Sequence, residues 1–264
     1  MKLGINTVLF KEYSLRDVFS VVQKAGYDGV ELSAIQGMCE HLVLDNWQAQ
    51  ASDILALSKQ YHLQLLSMEA STLDADRLEK AFAAAKFMGI PVVNVGPGGK
   101  SDNEASLAES ISILKNRTAL AAKYDVTLCV KAHVGLAIHN TPATLRAMKE
   151  IPDPHFGIDM DPSHIFRAGE KPETALPQVI SRVKHIHIRD CPDGGPSPGT
   201  PPQQTCGRGK IDLFAYFKVL SDAGYQGPVC LEVIGPAQSI TDAAVIAAES
   251  FGYMNACLKK LGVR

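Results

Sequence analysis

Residues of the types that bind metals and move protons gather in four short stretches in the second half of the sequence. They are Lys131-Ala132-His133, the stretch from Asp159 to His164, the stretch from His185 to Asp190, and Glu232. Each lies in or directly follows a run of Val, Ile and Leu that is typical of a buried strand. Carboxylates and imidazoles brought together form a mixed nitrogen and oxygen site that suits Mn²⁺, Zn²⁺, Fe²⁺ or Mg²⁺. The pattern predicts metal or acid–base chemistry where several strands end.

Alternation along each strand indicates which of these side chains point inward. His185 and His187 share one face of their strand, so both are expected to face the interior. Glu232 lies in an apolar run, where a carboxylate is costly unless it is paired or bound to a metal. Taken singly, a strand histidine is usually a core residue and a strand-end aspartate is usually a cap or turn residue. Their joint occurrence on neighbouring strands favours the metal site.

Eight apolar runs, which alternate with helical patterns, are predicted to be the strands that position these groups. They are Lys2–Thr7, Gly29–Ser33, Leu63–Met68, Pro91–Val95, Val126–Val130, His155–Met160, Val183–Ile188 and Pro228–Val233. Ser14 is placed to cap the first helix and Gly26 to end it. Eight β-then-α units predict an α/β fold, a single (β/α)8 TIM barrel domain over residues 1–264. An open doubly wound sheet is the alternative, but the first strand lacks the glycine-rich phosphate loop of that fold.

Composition excludes several classes of partner. The net charge is -2 and the charges are spread along the chain, so no nucleic-acid partner is expected. No signal peptide and no apolar run long enough to span a membrane are recognised. The six cysteines show no C-x-x-C spacing, which favours reduced, buried thiols over disulfides or a zinc knuckle. A cytoplasmic location is therefore expected, and a homo-oligomer is left open.

Several motifs resemble those of the xylose-isomerase-like TIM barrels, the sugar phosphate isomerase/epimerase and endonuclease-IV-like superfamily. They are Gly26-Tyr27-Asp28-Gly29-Val30-Glu31-Leu32, Asp161-Pro162-Ser163-His164, His185-Ile186-His187-Ile188-Arg189-Asp190, Gly207-Arg208-Gly209-Lys210-Ile211-Asp212 and the stretch Gly224–Glu232. The resemblance implies a divalent ion (Mn, Zn, Fe, Co or Mg) bound by Asp161, His187 and Glu232. It also implies that His164 binds substrate.

Position 131 departs from this family pattern. The epimerases carry a metal-binding, proton-transferring glutamate two residues before a histidine, whereas this chain has Lys131 before Ala132 and His133. A protonated lysine repels a neighbouring divalent ion. Lys131 is interpreted as a base whose pKa is lowered by burial, as a fixed charge that holds a substrate oxyanion, or as the partner of Asp161 or Glu232 in a site without metal. The first two interpretations together are favoured.

Further residues are predicted to contact substrate. His133 and Arg189 follow or end strands of the site, and Glu69 follows the third strand, where it could supply a substitute carboxylate or be a surface loop acid. Arg208, after the Pro- and Gly-rich loop Cys191–Cys206, could bind a substrate phosphate or carboxylate or be a solvated surface charge.

The leading functional hypothesis is a metal-assisted isomerase or epimerase of a keto sugar or related polyol. Glu232 or Lys131 would move the proton α to the carbonyl, and the ion would polarise that carbonyl. A dehydratase of a keto-sugar or keto-inositol shares the first step and is the alternative enzyme. A catalytically silent sugar-binding relative stays open because of Lys131.

Overall fold

A computed structural model describes residues 1–264 and contains eight parallel strands closed into a barrel. The strands are β1 (Lys2–Asn6), β2 (Gly29–Ile35), β3 (Gln64–Glu69), β4 (Val92–Val95), β5 (Thr127–Lys131), β6 (Phe156–Asp159), β7 (Val183–Ile188) and β8 (Pro228–Leu231). Each strand pairs with its neighbour in sequence, and β1 pairs with both β2 and β8. The predicted TIM barrel is confirmed, and the observed strand bounds differ from the predicted ones by two residues or fewer at each end.

Nine α-helices surround the barrel. They are α1 (Leu15–Ala25), α2 (Trp47–Tyr61), α3 (Ala75–Met88), α4 (Glu104–Lys123), α5 (Thr141–Glu150), α6 (Pro162–Arg167), α7 (Pro172–Val179), α8 (Leu213–Asp222) and α9 (Ile240–Lys260). Ser14 caps α1 by accepting a hydrogen bond from the Asp17 amide, and Gly26 ends the helix with a positive φ of 99°. None of the helices is long and apolar enough to cross a membrane.

Buried apolar side chains fill the space between the strands and the helix layer as one continuous core. Two glycines let neighbouring strands and side chains approach closely at the amino-terminal end of the barrel. A β-carbon at Gly29 would lie 2.3 Å from the carbonyl oxygen of Gln64, and one at Gly4 would lie 2.6 Å from the Cys230 sulfur. All six cysteines are free and buried, as the sequence predicted.

The strand pairing brings the polar strand ends together at one mouth. Lys131 pairs with Asp159, Asp159 with His185, and His187 with Cys230. The loop from Cys191 to Cys206 lies over the β7 side of this mouth and is held by Arg167, whose Nε donates to the Gly195 carbonyl at 3.0 Å. The carboxyl ends of the strands thus form the floor of a single depression, as in other barrels of this type.

Candidate functional site

A cavity of about 270 Å³ opens at the carboxyl ends of the strands. Its apolar wall includes Leu73, Leu136 and Ile234. Its charged and imidazole groups come from β3, β5, β7 and β8, the segments that follow them, and helix α6 after β6, and they are Glu69, Lys131, His133, His164, Arg189 and Glu232. The sequence had predicted all six as catalytic or substrate-binding residues, so the fold brings them together.

Lys131 is the last residue of β5 and its ammonium joins two carboxylates at the cavity floor. Nζ donates to Glu69 Oε1 at 3.0 Å and to Glu232 Oε1 at 2.7 Å. Burial alone lowers the pKa of Lys131, but the attraction of Glu232 and Glu69 outweighs it and raises that pKa above its usual value. The prediction of a lysine base with a lowered pKa is therefore wrong: Lys131 is a fixed cation that pairs with Glu232.

The two carboxylates around Lys131 have pKa values displaced in opposite directions. Burial and repulsion from Glu232 raise the pKa of Glu69 to about 7, with Lys131 opposing this rise in part. Burial also raises the pKa of Glu232, but attraction by Lys131, His187 and Arg189 outweighs it and the pKa lies well below the usual value. Glu69 is only 3% exposed, so it is the substitute carboxylate that the sequence offered and not a surface loop acid.

Arg189 projects from the end of β7 and spans the space between two acids. Its Nη2 lies 3.3 Å from Asp161 Oδ2, and its Nη1 lies 3.2 Å from Glu232 Oε2. Nε donates to the hydroxyl of Ser163 at 2.8 Å, which fixes the plane of the guanidinium. The side chain is 1% exposed. The site therefore contains two buried cations, Lys131 and Arg189, beside the predicted metal ligands.

Two histidines form one side of the cavity. The rings of His133 and His164 stack with centroids 3.9 Å apart. His164 Nδ1 accepts from the Val134 amide at 3.2 Å, while Arg189 Nη2 lies 2.9 Å from Nε2. Because a neutral imidazole accepts at only one nitrogen, these two contacts are not hydrogen bonds at the same time. Burial and the charge of Arg189 lower the pKa of His164, and burial and Lys131 lower that of His133, so both rings are neutral.

His187 lies beneath the cavity between two acids. Its Nε2 lies 2.5 Å from Glu31 Oε2, and its Nδ1 lies 2.6 Å from Asp159 Oδ2. Burial lowers the pKa of His187, but attraction by Asp159 and Glu31 outweighs it and raises the pKa well above the usual value. His185 joins the same layer, with Nδ1 2.9 Å from Asp159 Oδ1.

Sequence reasoning overlooked two members of this layer, Asn6 and Asn94, and assigned no role to a third, Asp159, although it lies in one of the stretches named above. Asn6 donates to Glu31 at 3.0 Å and to Glu69 at 2.6 Å, and Asn94 donates to Glu31 at 2.6 Å. Asp159 accepts the His187 amide at 2.8 Å. A usable signal existed, because Asn6 and Asp159 are polar residues at strand ends and Asp159 shares a strand face with Asp161 two residues later.

The three predicted metal ligands each present a buried atom. Asp161 Oδ2, His187 Nδ1 and Glu232 Oε2 are buried and have no hydrogen-bond partner, as ligand atoms would be. Three other groups of ligand-type atoms do lie within 4.8 Å of one another: Glu31–His185–Cys230, Asp159–His185–His187 and Glu31–Glu69–His187. Neither Asp161 nor Glu232 belongs to any of them, and Arg189 lies beside both. The predicted ligand set therefore does not fit a divalent ion as the side chains stand.

Arg208 lies outside the cavity. Its Nε donates to Glu249 of α9 at 2.7 Å, and its side chain is 43% exposed. Because Arg208 lies on the outer surface, the geometry does not support the predicted substrate contact. The alternative that the sequence left open, a solvated surface charge, fits its position. Asp161 caps α6 through Oδ1, which accepts from the Ser163 amide at 2.7 Å, and directs Oδ2 toward Arg189.

Comparison with known proteins places this geometry among related barrels. The family model described as xylose isomerase-like TIM barrel matches residues 19–257. A 3-dehydroshikimate dehydratase from Bacillus anthracis is 20% identical over 203 residues, which cover 72% of each chain. A D-tagatose 3-epimerase-like protein superposes with a TM-score of 0.81 at 18% identity, over 99% of this chain and 98% of that one. The IolI protein with a bound zinc atom superposes with a TM-score of 0.77 at 18% identity, over 99% and 98%.

Proposed function

The chain belongs to the xylose isomerase-like TIM barrel family, and we propose that it is an enzyme that moves a proton at the carbon next to a carbonyl. The substrate class is a small keto sugar or related polyol, and the product is its isomer or epimer. One observation carries the proposal: Glu69 and Glu232 line the same cavity and are held by a single ammonium, that of Lys131. Relatives named as a dehydratase and an epimerase-like protein support the same general chemistry.

The two carboxylates divide the proton transfer between them. Glu232 stays ionised, because Lys131 and Arg189 hold its pKa low, and it accepts the proton α to the carbonyl. Glu69 has a pKa of about 7, so part of it is protonated at neutral pH, and it returns a proton to the substrate. In an epimerase this proton reaches the opposite face of the α carbon, and in an isomerase it reaches the neighbouring carbon. Carboxyl groups whose surroundings push their pKa values apart are suited to such separate roles.

The fixed cations stabilise the charge that develops on the substrate. When the α proton leaves, negative charge accumulates on the carbonyl oxygen, and a buried donor aimed at that oxygen lowers the barrier. Lys131 and Arg189 both line the cavity, so their positive charges act on an oxyanion bound there. His133 is neutral and its Nδ1 donates to the Val134 carbonyl at 2.9 Å, so its Nε2 can accept a hydrogen bond from a substrate hydroxyl.

A dehydratase is the second candidate, and the raised pKa of Glu69 favours it. A β-hydroxyl of the substrate would leave as water after the same first step, protonated by Glu69, whose pKa of about 7 keeps part of it protonated at neutral pH. Glu69 lines the same cavity as Glu232, so the acid and the base would act on one bound substrate. The relative from Bacillus anthracis is named as a dehydratase.

A panel of keto-hexoses, keto-pentoses and keto-inositols, incubated in D₂O, tests the proposal. We expect at least one compound to incorporate solvent deuterium at the α carbon, as followed by NMR and mass spectrometry. Retention of mass apart from deuterium identifies an isomerase or epimerase, whereas loss of water identifies the dehydratase. If no compound exchanges but some raise the melting temperature, the protein is a silent binder and the proposal is wrong.

A further inference from the structure

We infer that this barrel works without a divalent ion. The guanidinium of Arg189 and the ammonium of Lys131 supply the positive charge beside the predicted ligands Asp161 and Glu232. Arg189 is the central observation. Its two terminal nitrogens lie 3.3 Å from Asp161 Oδ2 and 3.2 Å from Glu232 Oε2, so it spans two of the three predicted ligands. Its Nε is fixed by Ser163 at 2.8 Å, and the side chain is buried.

Lys131 engages the other oxygen of Glu232. Its Nζ lies 2.7 Å from Glu232 Oε1, while Arg189 faces Oε2. Each oxygen of this carboxylate therefore already faces a cation of the protein. The same ammonium also binds Glu69 at 3.0 Å, so the acid that could have replaced the missing strand-five ligand is engaged as well.

His187, the third predicted ligand, is spaced for contact with its neighbouring acids. Two atoms that share an ion, each about 2.0–2.2 Å from it, lie about 3 Å or more apart. His187 Nδ1 is 2.6 Å from Asp159 Oδ2 and Nε2 is 2.5 Å from Glu31 Oε2. Both separations are shorter than the spacing of two ligands of one ion, so no ion fits between these pairs as the side chains stand.

A divalent ion placed among Asp161, His187 and Glu232 would meet two buried cations at close range. Repulsion between like charges is strong in a buried site, where water screens it poorly. Arginine cannot relieve this by losing its proton. The two cations balance the two carboxylates predicted to bind the ion, Asp161 and Glu232, so chelators should leave the protein unchanged.

Metal binding itself tests the inference, without any need for a substrate. The protein is produced in medium supplied with manganese, cobalt and zinc, purified in metal-free buffer, analysed by elemental mass spectrometry and then titrated calorimetrically with Mn²⁺ and Co²⁺. A double variant, Lys131→Glu with Arg189→Ala, restores a carboxylate and removes the guanidinium. The matched control makes the same two kinds of change at exposed positions, Lys210→Glu with Arg208→Ala.

We expect the natural protein and the surface control to hold less than about 0.1 equivalent of metal, and the double variant to bind about one equivalent. Adding Asp161→Ala to the double variant should abolish that binding. About one equivalent in the natural protein, lost in Asp161→Ala alone, would overturn the inference. A double variant that folds, as judged by circular dichroism, yet binds no metal would also overturn it.

The natural protein decides the question if the double variant does not fold. Its metal content and its titration, each compared with Asp161→Ala, remain measurable. The result is also separable from the proposed function: a metal-free protein that exchanges no substrate proton contradicts the proposed function alone, whereas a metal-binding protein that does exchange contradicts this inference alone.

Discussion

The ammonium of Lys131 lies 3.0 Å from Glu69 and 2.7 Å from Glu232, and both carboxylates line the same cavity. Together, Glu69 and Glu232 give the cavity two groups that can each transfer a proton. Burial and repulsion from Glu232 raise the pKa of Glu69, whereas attraction by Lys131, His187 and Arg189 outweighs burial and lowers the pKa of Glu232. Lys131 therefore holds two carboxylates of different pKa together at the cavity.

Replacing Glu69 should change how stability depends on pH. The pKa of Glu69 is about 7 in the folded protein against 4.5 ordinarily, so its stabilising contribution is full below pH 4.5 and is lost as pH rises to about 7. Glu69→Gln lacks this pH-dependent contribution to stability. Urea denaturation gives the unfolding free energy of the natural protein minus that of Glu69→Gln. We expect this difference to fall by up to about 3 kcal/mol between pH 4.5 and 7. A difference that stays constant over this range would contradict the assignment.

Replacing Lys131 should be strongly destabilising. Lys131→Met leaves two buried carboxylates without their cation, and removing one partner of a buried ion pair costs about 3–5 kcal/mol. The matched control is Lys210→Met, which removes an exposed pair with Asp193 and should cost less than about 1 kcal/mol. Chemical denaturation of both variants checks the contrast, and equal losses would show that the buried pairs do not stabilise the fold.

At the scale of elements, each of the eight strands delivers at least one polar group to the mouth. Helix caps position further groups. Asp161 caps α6, and α6 places His164 next to the segment after β5, where its Nδ1 accepts from the Val134 amide. Gly29 permits the close approach of β2 to β3.

A β-carbon at Gly29 should therefore disturb the barrel. It would lie 2.3 Å from a backbone oxygen of Gln64, which cannot move away without moving β3. We expect Gly29→Ala to lower the unfolding free energy by about 2 kcal/mol or more. The control is Gly252→Ala in α9, where a β-carbon meets nothing within 4 Å and should add up to about 1 kcal/mol of stability. A neutral Gly29→Ala variant would show that β2 and β3 can separate freely.

At the scale of the whole molecule, the sequence was enough to predict the barrel, its strand order and the mouth at which the chemistry gathers. Periodicity is a local signal, and eight repeats of it leave few alternative folds. The cavity residues were found for the same reason, because strand ends converge in any closed parallel barrel.

Properties that depend on distant pairs could not be predicted. Lys131 contacts acids 62 and 101 residues away in sequence, so the direction of its pKa shift was not readable from its own strand. The position of Glu69 depends on a register shift between β2 and β3 next to Glu31, which no local pattern reveals. Arg208 is held on the surface by Glu249, 41 residues away.

The central claim, that Glu69 and Glu232 divide the proton transfer, is tested most directly by comparing solvent exchange with product formation. A substrate identified in the D₂O panel is followed by NMR with the natural protein, Glu69→Gln and Glu232→Gln. We predict that early product of the natural protein carries deuterium at the α carbon. Glu69→Gln should exchange that proton while forming product at least about 100-fold more slowly, and Glu232→Gln should do neither. Product formation by Glu69→Gln at the natural rate, or early product that retains the original proton, would contradict the account.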